Sequence, residues 1–208
     1  MQYLYRRLRD QYKVRFVRRN IENIQMAFMS QDTKVVFNCT GNAAKTLAGV
    51  EDSNCYPTRG QVLLVRAPHV HSNVMRHGKD YETYVIPRPG SNGNVILGGY
   101  MQKGNGDTAT YPHETESILE RTKGISSELR RAEPEILGAV AGLRPSRQGG
   151  TRVEREDVTV AGKKRALVHN YGAGGTGFQA GYGMALSAVE CVEDILRTVR
   201  DDAVRARL

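Results

Sequence analysis

Residues 165 to 196 read as strand, glycine turn and helix: Arg165-Ala-Leu-Val-His-Asn-Tyr171, then Gly172-Ala-Gly-Gly-Thr-Gly177, then Phe178 through Leu196. The turn spells G-x-G-x-x-G, whose glycines let a backbone close around a phosphate at a helix N-terminus. A dinucleotide fingerprint of that kind also needs a second strand and an acidic ribose ligand about 20 residues further on. Here the sequence reaches Leu208 first. The motif therefore has half of its usual context, and the rest of the chain must say what the turn is for.

The order of elements narrows the fold. Leu4, Leu8 and Tyr12 fall at helical spacing, and strand-like Lys13 to Val17 follows. Lys34 to Cys39 is a compact apolar run, broken by Thr40-Gly41 and followed by a helix-like Asn42 to Ala48. From Gly60 the pattern turns to strands with little helix between them: Gly60 to Arg66, Glu82 to Ile86 and Asn94 to Leu97. The turn-rich Pro87 to Gly93 joins the last two as a hairpin. Ile118, Leu119, Thr122, Ile125 and Leu129 mark one helix face, and strands around 139–143, 152–155 and 166–171 complete the chain. This is an α/β, or mixed α+β, pattern in which α/β pieces at both ends flank a β-rich middle. The expected division is 1–58, 59–137 and 138–208, with the first and third segments belonging together. A chain that opens inside a helix and strand unit, with no first strand to pair it, reads as lacking an N-terminal portion.

Charge and cysteine content exclude several classes. The net charge of +8 is concentrated at the start, where Arg6, Arg7, Arg9, Lys13, Arg15, Arg18 and Arg19 face only Asp10 within the first 20 residues. That distribution fits an amphipathic helix with a solvated basic face. No aromatic and basic RNA signature or metal-finger spacing supports a nucleic-acid partner. A mitochondrial presequence shares the composition, but here the helix runs straight into a strand-like segment. No apolar run approaches the roughly 18 residues of a membrane span, and no secretory signal is apparent. The reading is of a soluble, intracellular chain. Cys39, Cys55 and Cys191 lie far apart without C-x-x-C spacing, so reduced, mostly buried thiols are expected.

Three motifs taken together are more specific than any one. They are Val36-Phe-Asn-Cys-Thr-Gly41 with Arg59-Gly-Gln61; Tyr84-Val-Ile-Pro-Arg-Pro89 with Leu97-Gly-Gly99; and Gly142-Leu-Arg-Pro-Ser-Arg147 with His169-Asn-Tyr-Gly172 and its glycines. In this order they resemble the D-amino-acid oxidase family of flavoproteins, with the D-aspartate oxidases as a close branch. The resemblance runs from about Tyr3 to the C-terminus and covers about the last three fifths of a family member. It implies a partial Rossmann-like FAD-binding domain with an interleaved antiparallel substrate domain. The family's own phosphate fingerprint would lie upstream of Met1. The turn at 172–177 would instead lie against the isoalloxazine ring, its glycines allowing close approach and its helix dipole facing the pyrimidine edge.

The resemblance also implies the site. Hydride transfer from a substrate Cα–H needs positioning by the protein and redox chemistry from the cofactor, FAD, with no catalytic side chain and no metal. Arg144 would hold the substrate carboxylate bidentately, Tyr84 would hydrogen-bond it, and the Gly175 carbonyl would accept from the amine. Gly174, Gly175, Thr176, Gly177, Phe178 and Gln179 would bind the flavin edge; Ile21 would contact the adenine, and Thr40 with Gly41 the ADP half. His69, His71 and His77 match no zinc spacing and read as surface loop residues. His169 reads as a packed strand residue. In the acidic-substrate branch an arginine stands where this sequence has Met101, so neutral or apolar D-amino acids are expected. The partners are then a small D-amino acid and O2, with a homodimer left open. Ala206-Arg207-Leu208 fits the small-basic-Leu form of a peroxisomal address, with the cytoplasm as the alternative. Two alternatives stand beside the oxidase: a family member too short to retain FAD, hence inactive, and a basic module binding nucleic acid or an anionic surface.

Overall fold

A computed structural model describes residues 2–78 and 82–205, so the C-terminal tripeptide lies outside the described residues. The chain opens with helix α1 (Gln2–Arg6) and a wider π turn (Arg7–Gln11), then strand β1 (Val35–Asn38), the long β2 (Cys55–Arg66), β3 (Val74–His77), β4 (Glu82–Pro87), β5 (Asn94–Gly98) and the short β6 (Gln102–Lys103). Helix α2 (Pro112–Ile125), strands β7 (Glu135–Arg147), β8 (Arg152–Val160) and β9 (Lys163–Tyr171), and helices α3 (Gly177–Glu190) and α4 (Glu193–Arg205) follow.

Two sheets result, as the alternation of patterns predicts. The larger is antiparallel in the order β3-β4-β5-β2-β6, with β7 also pairing β2 along its length from Cys55↔Arg147 to Arg66↔Glu135. Strand alternation gives this sheet two unlike faces. Leu63, Val65, Val85, Val95 and Leu97 point to one face and are wholly buried beneath Ile118 of α2 and Leu129. The other face is left open: Val140 on β7 is 61% exposed.

The helix is locked to the sheet by a buried ion pair. Arg59 on β2 has no exposure, and its Nη1 donates to both oxygens of Glu114 at 3.0 and 2.9 Å and to Gln102 Oε1 at 2.8 Å. Its Nη2 reaches the Ala109 carbonyl, and its guanidinium lies 5.3 Å from the Tyr111 ring centre. Gln61, the next inward residue, brackets Tyr111 by accepting from its N–H at 2.8 Å and donating to its carbonyl at 3.1 Å. The sequence motif Arg59-Gly-Gln61 is thus two inward anchors for the start of α2, separated by one outward glycine.

The smaller sheet has the order β1-β9-β8, with β1 parallel and β8 antiparallel to β9. Its central strand is covered on both sides: Ala166 and Val168 pack against Ala188 and Val192, and Leu167 packs against Ile24 and Leu47. Burial on two faces is why residues 166–168 form an uninterrupted apolar run.

Several expectations are corrected. Lys13 to Val17 forms no strand among the described residues, Lys13 taking a left-handed φ of 54°, and the Phe16 ring instead lies tilted against Tyr5 with centres 4.6 Å apart. The N-terminal segment is solvated on its apolar side as well as its basic one, with Leu4 52% exposed. The helix expected over 42–48 is a 3-10 turn, Gly41–Lys45. The last helix is divided at Cys191 and Val192. Pairing with β2 keeps β7 in the large sheet through Arg147, past the expected boundary at 138, and brings Cys55 to Thr58 into that sheet too. Of the thiols expected to be mostly buried, Cys55 is buried and Cys191 half-buried, whereas Cys39 is exposed. Among the described residues no helix is long and apolar enough to cross a membrane.

Candidate active site

The open face of the large sheet carries the site. Glu82 and Tyr84 stand two apart on β4 and project from the same face. Their cross-strand partners on β3 are His77 and Met75, and Tyr84 faces Gly98 on β5. A Cβ at Gly98 would lie 2.5 Å from the Tyr84 hydroxyl and closer still to the ring carbons, so the phenol rests over β5 only because residue 98 has no side chain. Arg144 on β7 pairs with Thr58, and its guanidinium crosses β2 at Gly60, where a Cβ would come within 2.9 Å of Cζ and 2.7 Å of the Tyr100 carbonyl. Two glycines inside strands thus seat the two polar side chains. Arg144 Nη1 donates to the Tyr100 carbonyl at 2.9 Å, and Nη2 to Glu82 Oε2 at 3.2 Å. Burial raises the pKa of Tyr84, only partly offset by Arg144, so the phenol stays protonated and can donate.

Tyr84, Arg144, Gly175, Thr176 and Gln179 line one cavity of about 810 Å3. A shallower groove of about 460 Å3 adjoins it, sharing Arg144 and Gly175 and floored by Gly60, Gly142, Gly174 and Gly177, with Phe178 at its side. A third space of about 240 Å3 reaches the carboxyl ends of β1 and β9, where Gly41 meets Gly172 and Gly177. Ile21 and Thr40 line none of these three. Ile21 packs beside Ile24 and Leu47, and Thr40 donates through its N–H and hydroxyl to Asn38 Oδ1 at 3.2 and 2.8 Å.

The glycine loop is held from below. Gly172 has φ +89° and Gly174 φ +57°, the left-handed region open to glycine, and a Cβ at Gly172 would fall 2.8 Å from Arg147 Cβ. Asp52 accepts from Arg147 Nε at 2.7 Å and from the Tyr171 hydroxyl at 3.0 Å, and that hydroxyl accepts from Arg152 at 2.9 Å. Burial works against the Asp52 carboxylate, but these donors and the Asn54 N–H outweigh it and lower the pKa. Burial above all pushes Tyr171 up to about 12. Helix α3 then begins at Gly177 without a side-chain cap, leaving first-turn N–H groups and the positive end of the dipole uncovered.

His169 is fully buried, with Nδ1 3.2 Å from Asn38 Nδ2 and Nε2 3.1 Å from Glu156 Oε2. Burial lowers its pKa, against the pull of Glu156, so it is a neutral bridge between strands, away from the cavities. His77 departs from the loop reading: it ends β3 and lines the large cavity. Among the described residues no group of His, Cys, Asp or Glu could hold a metal. The sequence reading missed Glu82, Met75 and His77 in the cavity, and gave no role to Gly60 or Gly98. Period-2 alternation around Tyr84 and the glycines inside apolar strands were the available signals.

The FAD dependent oxidoreductase family profile matches residues 1–190. A D-amino-acid oxidase of Schizosaccharomyces pombe is 52% identical over 162 residues, covering 76% of this chain and 46% of that protein. The D-aspartate oxidase 1 of Caenorhabditis elegans is 36% identical over 188 residues, covering 89% and 53%. The chain belongs to the D-amino-acid oxidase family of FAD dependent oxidoreductases, and it spans about half the length of these curated relatives. A glycine oxidase structure from Geobacillus kaustophilus shares the fold at a TM-score of 0.62 and 21% identity, covering 77% of this chain and 41% of that one. An iminodiacetate oxidase structure from Chelativorans does so at 0.58 and 19%, covering 75% and 42%. FAD is the family's cofactor, and a glycine floor beside uncapped helix amides suits a flat ring with an acceptor-bearing edge.

Proposed function

We propose that the chain carries the substrate cavity and flavin-ring loop of a D-amino-acid oxidase, which converts a D-amino acid to an imino acid that hydrolyses to a 2-oxo acid and ammonia. FAD, when bound, takes the hydride and passes the electrons to O2, giving hydrogen peroxide. The convergence of Arg144 and Tyr84 on one cavity, beside the glycine groove, carries this reading.

Arg144 binds the substrate carboxylate through two N–H donors, fixing its orientation as well as its charge. The protonated Tyr84 hydroxyl donates to the same carboxylate, and the Gly175 carbonyl accepts from the amine. Gly174, Thr176, Gly177, Phe178 and Gln179 would hold the edge of the flavin ring, and Gly41 would serve the nucleotide half. Met101 on the cavity wall supplies no counter-charge for an acidic side chain, so non-acidic D-amino acids are the substrates. Ala206-Arg207-Leu208 serves as a peroxisomal address; a fluorescent fusion should become diffuse when these three residues are deleted, and unchanged puncta refute the assignment.

A second reading, that the chain alone holds FAD too weakly to turn over, is favoured by one observation. Phe178, beside the groove, is 86% and Tyr182, one turn further along α3, 77% exposed, an apolar surface that nothing described covers. One experiment decides between them: the visible spectrum of the purified chain with and without added FAD, and peroxide release from D-alanine, D-aspartate and L-alanine. Flavin retention with D-alanine turnover supports the oxidase. No retained flavin supports the silent reading. Arg144→Ala should lower kcat/KM for D-alanine by about a hundredfold or more, and an unchanged value would remove Arg144 from the substrate site.

A further inference from the structure

Glu82 is the single acidic side chain lining the large cavity among the described residues. Its Oε2 accepts from Arg144 Nη2 at 3.2 Å, whereas Oε1 lies 3.7 Å from His77 Nδ1, too far for a hydrogen bond. One carboxylate oxygen therefore keeps acceptor capacity, on a side chain only 21% exposed. His77 and Arg144 flank it, and Met75, Ile86, Ile96 and Met101 supply the apolar part of the same cavity lining. Besides Arg144, which pairs with Glu82 itself, the cationic side chain on this cavity is Lys103, which is exposed, with its ammonium 4.8 Å from the Tyr56 ring centre and 3.4 Å from Gln148 Oε1. Water and salt screen a charge at the rim far more than one set into the wall.

A ligand carboxylate on Arg144 would lie beside Glu82, so any further charge on that ligand meets the field of a mostly buried anion. A second carboxylate is repelled. An ammonium pairs with Oε1 and regains there the hydrogen bonds it loses on leaving water. We propose that Glu82 is a specificity-determining residue that selects D-amino acids with a cationic side chain and rejects those with an anionic one. This rests on the cavity being the D-amino-acid site, and it sharpens the non-acidic preference argued above.

Three D-amino acids of matched length test it: D-ornithine, D-norleucine and D-glutamate, which end in an ammonium, a methyl and a carboxylate. Binding to the full chain is measured by titration calorimetry with FAD present, so the readout does not depend on turnover. D-ornithine should bind at least about tenfold more tightly than D-glutamate, and Glu82→Gln should reduce the ratio of D-ornithine to D-norleucine affinity by about tenfold or more. Glu82→Asp, which keeps the charge, should retain the preference for D-ornithine. A Glu82→Gln ratio equal to that of the unaltered chain overturns the assignment while D-norleucine binding, lost in Arg144→Ala, leaves the oxidase reading standing. If none of the three ligands binds, the reading of the cavity fails and the role of Glu82 fails with it.

Discussion

Replacing Gly98 by alanine tests whether strand glycines seat the substrate-reading side chains. The added methyl would lie 2.5 Å from the Tyr84 hydroxyl and nearer to the ring carbons. Nonbonded carbons rest at about 3.5–4.0 Å, so ring and strand must separate by about 1 Å or more. Tyr84 is 9% exposed and Leu97, the neighbour of Gly98 on β5, has no exposure, so the strand beneath has little room to yield and the ring must move. Overpacking of this kind costs about 1–3 kcal/mol of stability, and a shift of about 1 Å in a positioning group costs about a hundredfold in rate. Chemical denaturation should therefore show a lower midpoint in Gly98→Ala, and peroxide assays with D-alanine a fall in kcat/KM. A double-mutant cycle isolates the cause: in a Tyr84→Ala background the same alanine should cost little, because the atoms it strikes are gone. An equal stability loss with and without the tyrosine ring would refute the argument and assign the glycine to backbone needs alone.

Two further outcomes follow from the buried polar groups. Glu114→Ala leaves Arg59 charged, buried and without its carboxylate, and should destabilise the chain by about 3–5 kcal/mol in denaturant titration; a loss under 1 kcal/mol would mean water reaches the guanidinium. His169 has its pKa lowered in the folded chain, so the unfolded chain binds the proton more readily. The stability that comes from keeping it neutral is complete above the unfolded value, about 6.5, and is lost as pH falls below it toward the lower folded value. His169→Gln should flatten the pH dependence of the unfolding midpoint in that window, and an unchanged slope would place the dependence elsewhere.

Much of the site was legible in the residues. Gly172 to Gly177 announced a turn that needs backbone freedom, and Gly172 and Gly174 take the left-handed φ values that glycine permits. The segment 166–171 announced a strand, and the structure forms it and covers residues 166–168 on both faces. Arg144 and Tyr84 stood out through family resemblance, and they line one cavity. The failures share a cause. Lys13 to Val17 has the composition of a strand, but a strand exists only with a partner, and none described lies beside it. The boundary at 138 marked the return to the closing α/β segment, while β7 goes where β2 offers hydrogen bonds.

By itself the sequence determined the period of most elements, the glycine turn at 172–177, and the family. Those properties are local, set by side-chain volume, backbone freedom and the alternation of polar and apolar residues over a few positions. Tertiary structure alone decided that Glu82, 62 residues before Arg144, shares its hydrogen bonds, and that Gly60 and Gly98 lie beneath the two polar side chains. Strand register sets those meetings, and a shift of one residue would turn every outward side chain toward the core.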